Sequence, residues 1–136
     1  DIPLADIPKI KMGASFTLDD GTVIPNSELT SSPPDPKSYA YCTDTLPLES
    51  TMEHVRNVNV LYHESTFMNA DAERAKATYH STASQAATIA KEASVGQLII
   101  GHFSARYTSL DDMLNEAKAV FPNAVLAVDG NEIIIS

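Results

Sequence analysis

Three short runs of mostly apolar residues predict buried β-strands, and each run leads directly into side chains that bind metals or anions. The runs and the residues that follow them are 38–43 with Asp44, 58–62 with His63 and Glu64, and 97–101 with His102 and, four residues later, Arg106. Catalytic groups in open α/β sheets gather beyond the carboxyl ends of neighbouring strands. We therefore expect Asp44 and His102 to project from adjacent strands into one hollow, as a site for a divalent metal and an anionic substrate.

Helix patterns alternate with these strands, which predicts an α/β fold with helices packed on a mixed β-sheet. Three of the helices are expected to begin at a Ser or Thr that precedes an acidic residue or Gln by three positions: Ser50 with Glu53, Thr82 with Gln85, and Ser109 with Asp112. A further short helix is expected in residues 71–78. Two final strands, 124–128 and 132–135, are expected to form a hairpin that adds an antiparallel edge to the sheet.

The first 37 residues are rich in proline and are expected to be irregular. Within them, residues 15–18 and 22–24 flank Asp19-Asp20-Gly21, which is a strong hairpin signal. We predict one domain, 1–136, in which the irregular segment 1–37 precedes an α/β core formed by residues 38–136.

The charge balance restricts the partners that this chain can bind by itself. The net charge is −9, from 18 acidic and 9 basic residues. A chain with this charge is not attracted electrostatically to a phosphate backbone. Nucleic-acid binding therefore requires a locally positive site, a bound metal or basic surface from elsewhere. The single cysteine, Cys42, favours a reducing cytoplasm, and no apolar stretch is long enough to predict a membrane span.

Asp44, His102 and Arg106 each allow two interpretations. A carboxylate after a strand can bridge two cations, but an aspartate at a turn or helix cap has the same pattern. His102 is either a metal ligand or a hydrogen-bonded structural histidine. Arg106 either forks onto the oxygens of a scissile phosphate or forms a surface ion pair with an acidic residue.

His63, Glu64 and His80 form a second candidate group. Successive residues of a strand point to opposite faces, so His63 and Glu64 cannot both face the site. His80 precedes a helix start, where Glu64 can orient its ring and favour the imidazolium; such a pair suits protonation of a leaving alkoxide. The alternative for His80 is a capping or loop residue.

Taken together, these motifs resemble the carboxy-terminal half of ribonuclease Z, the tRNA 3′-processing endonuclease of the metallo-β-lactamase superfamily. The matching runs are residues 38–45, 61–67, 80–87 and 102–107, with weaker matches at 11–13 and 18–23. The resemblance implies half of a metallo-β-lactamase αββα sandwich. It also implies hydrolysis of precursor tRNA at the 3′ trailer with two zinc ions, and a cytoplasmic homodimer.

The resemblance also suggests a role for each matching residue. Asp44 corresponds to the carboxylate that bridges the two zinc ions, and His102 to a histidine ligand of one of them. His80 corresponds to the proton donor and Arg106 to the arginine near the scissile phosphate. Glu64 is expected to act with His80 in catalysis. The residues expected to support the site are His63, Thr45 and Ser104.

One departure from the family pattern limits these expectations. The His-x-His-x-Asp-His metal motif is absent, which suggests an amino-terminally truncated fragment with little or no bound zinc and no activity by itself. The basic arm that grips tRNA in the family is absent too. Two alternatives stay open: another metallo-β-lactamase-fold hydrolase, such as a phosphodiesterase or an arylsulfatase-like enzyme, and a self-associating structural half.

Overall fold

The computed structural model describes residues 2–135, and the chain divides into two compact units, Asp1–Pro36 and Lys37–Ser136. Each unit has its own secondary structure. The expectation that both belong to one domain stays a prediction.

The first unit contains the predicted hairpin. Strands β1 (Phe16–Thr17) and β2 (Val23–Ile24) pair antiparallel, with Phe16 opposite Ile24. Gly21 in the connecting turn has φ +86°, a backbone conformation that glycine adopts without steric cost. Two short helices, α1 (Ile7–Lys11) and α2 (Asn26–Leu29), flank the hairpin, so the segment is less irregular than its proline content predicts.

The second unit alternates strands and helices, which confirms the α/β class. Its elements are β3 (Tyr39–Cys42), α3 (Glu49–His54), β4 (Val60–Glu64), a 3₁₀ turn (Asn69–Asp71), α4 (Ala72–Ala77), α5 (Ala83–Glu92), β5 (Gln97–Gly101), α6 (Asp111–Val120) and β6 (Ala124–Leu126). The strands form one sheet in the order β3-β4-β5-β6, and every neighbouring pair is parallel. The carboxyl ends of β3, β4 and β5 therefore meet at the same edge of the sheet.

The predicted final hairpin is wrong. Residues 131–135 form no strand, and the turn at Gly130 is followed by chain that makes no ladder bonds with β6 among the described residues. Antiparallel pairing is confined to β1 and β2 in the part of the chain that the structure describes. A turn signal between two apolar runs is therefore not enough to predict a hairpin, because the second run must also pair with the neighbouring strand.

Helices α5 and α6 cover one face of the sheet. The side chains that are fully buried between them include Leu61, Leu98 and Ile100 from the strands, Met113 from α6, and the alanines of α5 at positions 83, 86, 87 and 90. Because alanine is small, α5 lies close to both the sheet and α6. This core fixes the ends of β4 and β5, from which the candidate site is built.

The helix starts agree only partly with the capping patterns. Thr82 and Gln85 form the expected capping box at α5. At α3, Leu48 is the N-cap residue and Ser50 lies inside the helix, so the Ser50–Glu53 box is wrong. At α6, Leu110 is the N-cap residue, and the Ser109 hydroxyl group lies 3.2 Å from both the backbone N–H and the carboxylate of Asp111.

Among residues 2–135, none of the helices has the length and apolar character that a membrane crossing requires.

Candidate metal centre

Asp44, His80 and His102 meet at the carboxyl edge of the sheet, and one ligand atom from each lies within 4.8 Å of the other two. Asp44 Oδ1 is 3.2 Å from His102 Nε2 and 3.9 Å from His80 Nδ1. The rings of His80 and His102 lie 5.3 Å apart. The expected proximity of Asp44 and His102 is confirmed, but their strands are not adjacent, since β4 lies between β3 and β5.

Sharp backbone turns bring these side chains together. Asp44 has φ +50° and His102 has φ +60°, and Tyr79, directly before His80, has φ +61°. This left-handed region costs an ordinary L-residue about 1–2 kcal/mol. The packing of β3, β5 and α5 holds these conformations, and residues kept in such strained states cluster at functional sites.

Glu64 connects the cluster to the end of β4. Its side chain is fully buried, and Oε1 accepts hydrogen bonds from His80 Nδ1 at 2.8 Å and from Thr45 N at 3.1 Å. Oε2 accepts from the Thr66 backbone N–H at 3.0 Å and from the Thr66 hydroxyl group at 2.8 Å. Both carboxylate oxygens are thus satisfied, which a buried charge requires.

These contacts determine the ionisation of Glu64. Burial by itself raises the pKa of the carboxyl group, but the hydrogen bonds from Thr66 and His80 favour the charged form more strongly, so the pKa lies below its ordinary value. Glu64 is therefore a carboxylate near neutral pH, and it can orient His80 through the protonated Nδ1 of that ring.

Thr66 is a site residue that the sequence analysis missed. Its hydroxyl oxygen lies 2.8 Å from His102 Nδ1 and 3.2 Å from His80 Nδ1, in addition to its bond with Glu64. A threonine two residues after a strand end resembles any other strand or turn residue. Only its place in the run that resembles ribonuclease Z could have drawn attention to it.

His63 lies on the opposite side of β4 from Glu64, as the alternation of a strand requires. It is fully buried, its Nδ1 donates to the Glu64 carbonyl oxygen at 2.7 Å, and its Nε2 has no partner among the described residues. Burial lowers the pKa of His63, so the ring is neutral near pH 7. His63 is therefore separate from the three-residue cluster, and any supporting role acts through the backbone of Glu64.

Arg106 is held beside the cluster by Asp71. Its Nη1 lies 3.1 Å from Asp71 Oδ1, and the guanidinium carbon lies 5.2 Å from the centroid of the Phe67 ring. Asp71 Oδ2 also accepts from the Tyr107 hydroxyl group at 2.5 Å. The Phe67 ring in turn lies 6.1 Å from the His80 ring. The ion pair with an acidic residue is thus present, while the contact of Arg106 with a phosphate stays a prediction.

Thr45 and Ser104 lie in the two loops that carry the ligands. Thr45 donates its backbone N–H to Glu64, and its carbonyl oxygen accepts from the Ser81 hydroxyl group at 2.7 Å. Ser104 donates its backbone N–H to the Thr66 carbonyl oxygen at 3.1 Å. Both residues thus connect site loops through the backbone, and we find no side-chain bond from either residue to the cluster among the described residues.

Asp44 and His102 fit a zinc ion by donor type and by spacing, whereas His80 Nδ1 already donates to Glu64. Catalytic zinc sites use three protein ligands drawn from imidazole nitrogen, carboxylate oxygen and thiolate sulfur. Two ligand atoms of a tetrahedral zinc lie roughly 3.4 Å apart when each bond is about 2.1 Å. The 3.2 Å between Asp44 Oδ1 and His102 Nε2 is close to that spacing.

A cavity of about 280 Å³ opens beside His80. Residues 46–48 form one wall, and the exposed side of α4, including Lys76, forms another. Because His80 also belongs to the cluster, a ligand in this cavity would lie next to the candidate metal centre.

Comparison with known proteins identifies similar sequences and folds. The chain is 47% identical over 135 residues to the ribonuclease Z of Phocaeicola vulgatus, and the match covers 99% of this chain and 44% of that protein. It is 48% identical over 126 residues to the ribonuclease Z of Bacteroides fragilis, with 93% of this chain and 41% of that protein covered. The chain thus spans less than half the length of the curated relatives that it matches. No protein-family model matches the chain.

Two solved structures have a similar fold. A metallo-β-lactamase-fold protein of Bacillus subtilis is 27% identical, with a TM-score of 0.59 and coverage of 64% of this chain and 35% of that one. The short form of human tRNase Z is 30% identical, with a TM-score of 0.50 and coverage of 62% of this chain and 27% of that one. Over nearly its whole length the chain is similar to part of a ribonuclease Z sequence, and about two thirds of it has part of the metallo-β-lactamase fold.

Proposed function

We propose that this chain forms part of a zinc-dependent endoribonuclease that removes the 3′ trailer from precursor tRNA. The relatives named ribonuclease Z and the structural neighbour named tRNase Z support this proposal. The observation that carries it is the cluster of Asp44, His80 and His102 beside the buried Glu64, because it combines metal ligands with a carboxylate–histidine pair.

In this proposal, Asp44 and His102 would hold the metal, which would supply an activated water and stabilise charge on the phosphoryl oxygens. His80 protonates the leaving oxygen of the tRNA. Glu64 is suited to support that step because it holds His80 Nδ1 at 2.8 Å, which orients the ring.

Arg106 would bind a phosphoryl oxygen of the substrate. Its contact with Asp71 uses one of the five N–H donors of the guanidinium, and about a third of the side chain is exposed. Because the net charge of the chain is −9, most of the electrostatic affinity for tRNA must come from other basic surface.

A chimeric enzyme tests the proposal. The matching part of the Phocaeicola vulgatus ribonuclease Z is replaced by this chain, and cleavage of a precursor tRNA with a labelled 3′ trailer is followed with zinc present. We expect cleavage that leaves a 3′-hydroxyl group on the tRNA, and a loss of about 10²–10⁴-fold in rate for His80→Ala. A folded, zinc-loaded chimera that does not cleave would refute the proposal.

The chain by itself is proposed to be inactive, because the two residues that would hold the metal, Asp44 and His102, cannot enclose two zinc ions. Incubation of the chain with zinc and the same precursor tRNA tests this, and specific cleavage would refute it. A cytoplasmic location is also proposed, supported by the single, unpaired Cys42.

Self-association is a second proposal, and the open face of the sheet favours it. Tyr39 and Tyr41 project from the edge strand β3 with 50% and 59% of their surface exposed, and Tyr41 stacks on Tyr62 at 4.5 Å. Exposed apolar surface on an edge strand, which pairs on one side only among the described residues, favours association with a second copy. Size-exclusion chromatography with light scattering tests it; a monomer at high micromolar concentration would refute it.

A further inference from the structure

The hydroxyl group of Thr66 lies between the buried Glu64 carboxylate and His102. Its oxygen is 2.8 Å from Glu64 Oε2 and 2.8 Å from His102 Nδ1. Thr66 is 7% exposed and Glu64 is fully buried, so water does not compete strongly for these bonds.

With Glu64 ionised, His80 Nδ1–H donated to Glu64 Oε1 and both 2.8 Å contacts of Thr66 made as hydrogen bonds, the donors and acceptors can be assigned in one way. A hydroxyl group has one hydrogen to donate, and a carboxylate only accepts. Thr66 therefore donates to Glu64 Oε2 and accepts a hydrogen bond from His102 Nδ1–H.

This assignment determines which nitrogen of His102 is available to a metal. With the hydrogen on Nδ1, a neutral His102 presents the lone pair of Nε2 towards Asp44 Oδ1, 3.2 Å away. A carboxylate oxygen and an unprotonated Nε2 at that separation repel each other unless a proton or a metal ion lies between them. Metal-binding histidines commonly donate the other ring N–H to a nearby acceptor, which fixes the orientation of the ring.

We propose that Thr66 is a positioning residue that orients His102, through a Glu64–Thr66–His102 relay, so that Nε2 binds the metal together with Asp44. This inference rests on the proposed function for the identity of the metal. Its tests are made on the chain without RNA, so a chimera that fails to cleave precursor tRNA counts against the proposed function alone.

The first test is zinc affinity, measured by isothermal titration of the whole chain at pH 7.5 in a buffer that does not bind zinc. Thr66→Val removes the hydroxyl group at nearly constant volume, and we expect zinc affinity to fall about 10–100-fold. Thr66→Ser restores the hydroxyl group and is expected to bind within about threefold of the wild type. Thr88→Val is the matched control, because Thr88 is exposed on α5 and its hydroxyl group bonds only the Ser84 carbonyl oxygen among the described residues.

The second test determines which ring nitrogen of His102 carries the hydrogen in the metal-free chain. The ¹⁵N shifts of its two nitrogens, recorded on the wild-type chain above neutral pH, are expected to show the hydrogen on Nδ1. This measurement does not depend on whether Thr66→Val folds.

Three results would overturn the proposal: a wild-type chain that binds no zinc, a His102 ring that carries its hydrogen on Nε2, or a folded Thr66→Val variant with wild-type zinc affinity. Weak zinc binding by a folded Thr66→Val variant with recovery in Thr66→Ser supports it, because the serine restores the hydroxyl group that accepts from His102 Nδ1–H.

Discussion

Replacement of Glu64 by Gln tests the hydrogen-bond network of the candidate site most directly. Each carboxylate oxygen of Glu64 faces a backbone N–H: Thr45 N at one end and Thr66 N at the other. The amide of Gln has a nitrogen at one end. In either orientation, that nitrogen meets a backbone N–H that previously had an acceptor.

The expected loss of stability follows from these contacts. One buried N–H left without an acceptor costs about 1–3 kcal/mol. The remaining bonds lose their charge assistance, which makes a hydrogen bond roughly twice as strong. We therefore expect Glu64→Gln to lower the free energy of unfolding by about 3 kcal/mol at pH 7, or roughly 10 °C in Tm at about 3–4 °C per kcal/mol for a chain of 136 residues.

The loss is also expected to depend on pH. Folding lowers the pKa of Glu64 below its ordinary value of 4.5, so its ionised form stabilises the folded state above that pH. This contribution disappears as the pH falls through the lowered pKa, and the Gln variant never has it. The difference between the two proteins in free energy of unfolding must therefore shrink on acidification below pH 4.5.

Urea unfolding followed by far-UV circular dichroism at a series of pH values measures both effects. Glu53→Gln is the matched control, since Glu53 is exposed on α3, and it should stay within about 0.5 kcal/mol of the wild type. A Glu64→Gln variant within about 1 kcal/mol of the wild type at pH 7, or a difference that does not change with pH, would refute the reasoning.

Three further predictions concern the backbone. A Cβ at Gly96 would lie 2.5 Å from the Asn59 carbonyl oxygen, so Gly96→Ala should cost roughly 2–3 kcal/mol in urea unfolding. A Cβ at Gly101 would lie even closer, 2.2 Å, to the Tyr62 hydroxyl group, but a side chain can rotate. Gly101→Ala should therefore cost less and alter the tyrosine signal in near-UV circular dichroism; the reverse order of costs would contradict this. Ser94 follows α5 and has φ +54°, so Ser94→Gly should raise the free energy of unfolding by about 1 kcal/mol. An unchanged melting temperature would contradict this.

The sequence predicted those elements whose signals are local. Strand β5 was expected at 97–101 and lies at Gln97–Gly101, because a short apolar run before a polar residue has few alternatives to a buried strand. The capping box at Thr82 was found because both its residues bond only within one turn. The same pattern at Ser50 predicts a wrong helix start, since the N-cap residue of α3 is Leu48, two residues earlier, and the pattern cannot show where the chain enters a helix.

The site was only partly predictable. Asp44, His80 and His102 were chosen by residue type and by their places after strands or before a helix, and the structure brings them within 4.8 Å. Thr66 was missed because its role depends on Glu64, 2 residues away, and on His102, 36 residues away. Asp71 was missed as the partner of Arg106 for the same reason, because 35 residues separate the two.

By itself, the sequence determined the α/β class, the order of the core strands along the chain and the chemical types available at their ends, since these depend on periodicity and residue identity along a few neighbouring positions. Only the tertiary structure decided which donors meet, that β4 separates the strands of Asp44 and His102, and that the buried Glu64 carboxylate connects Thr45, Thr66 and His80. The physical reason is that a hydrogen bond or a metal site needs atoms placed to within a few tenths of an ångström, and such distances between remote residues are set by the packing of α5 and α6 on the sheet.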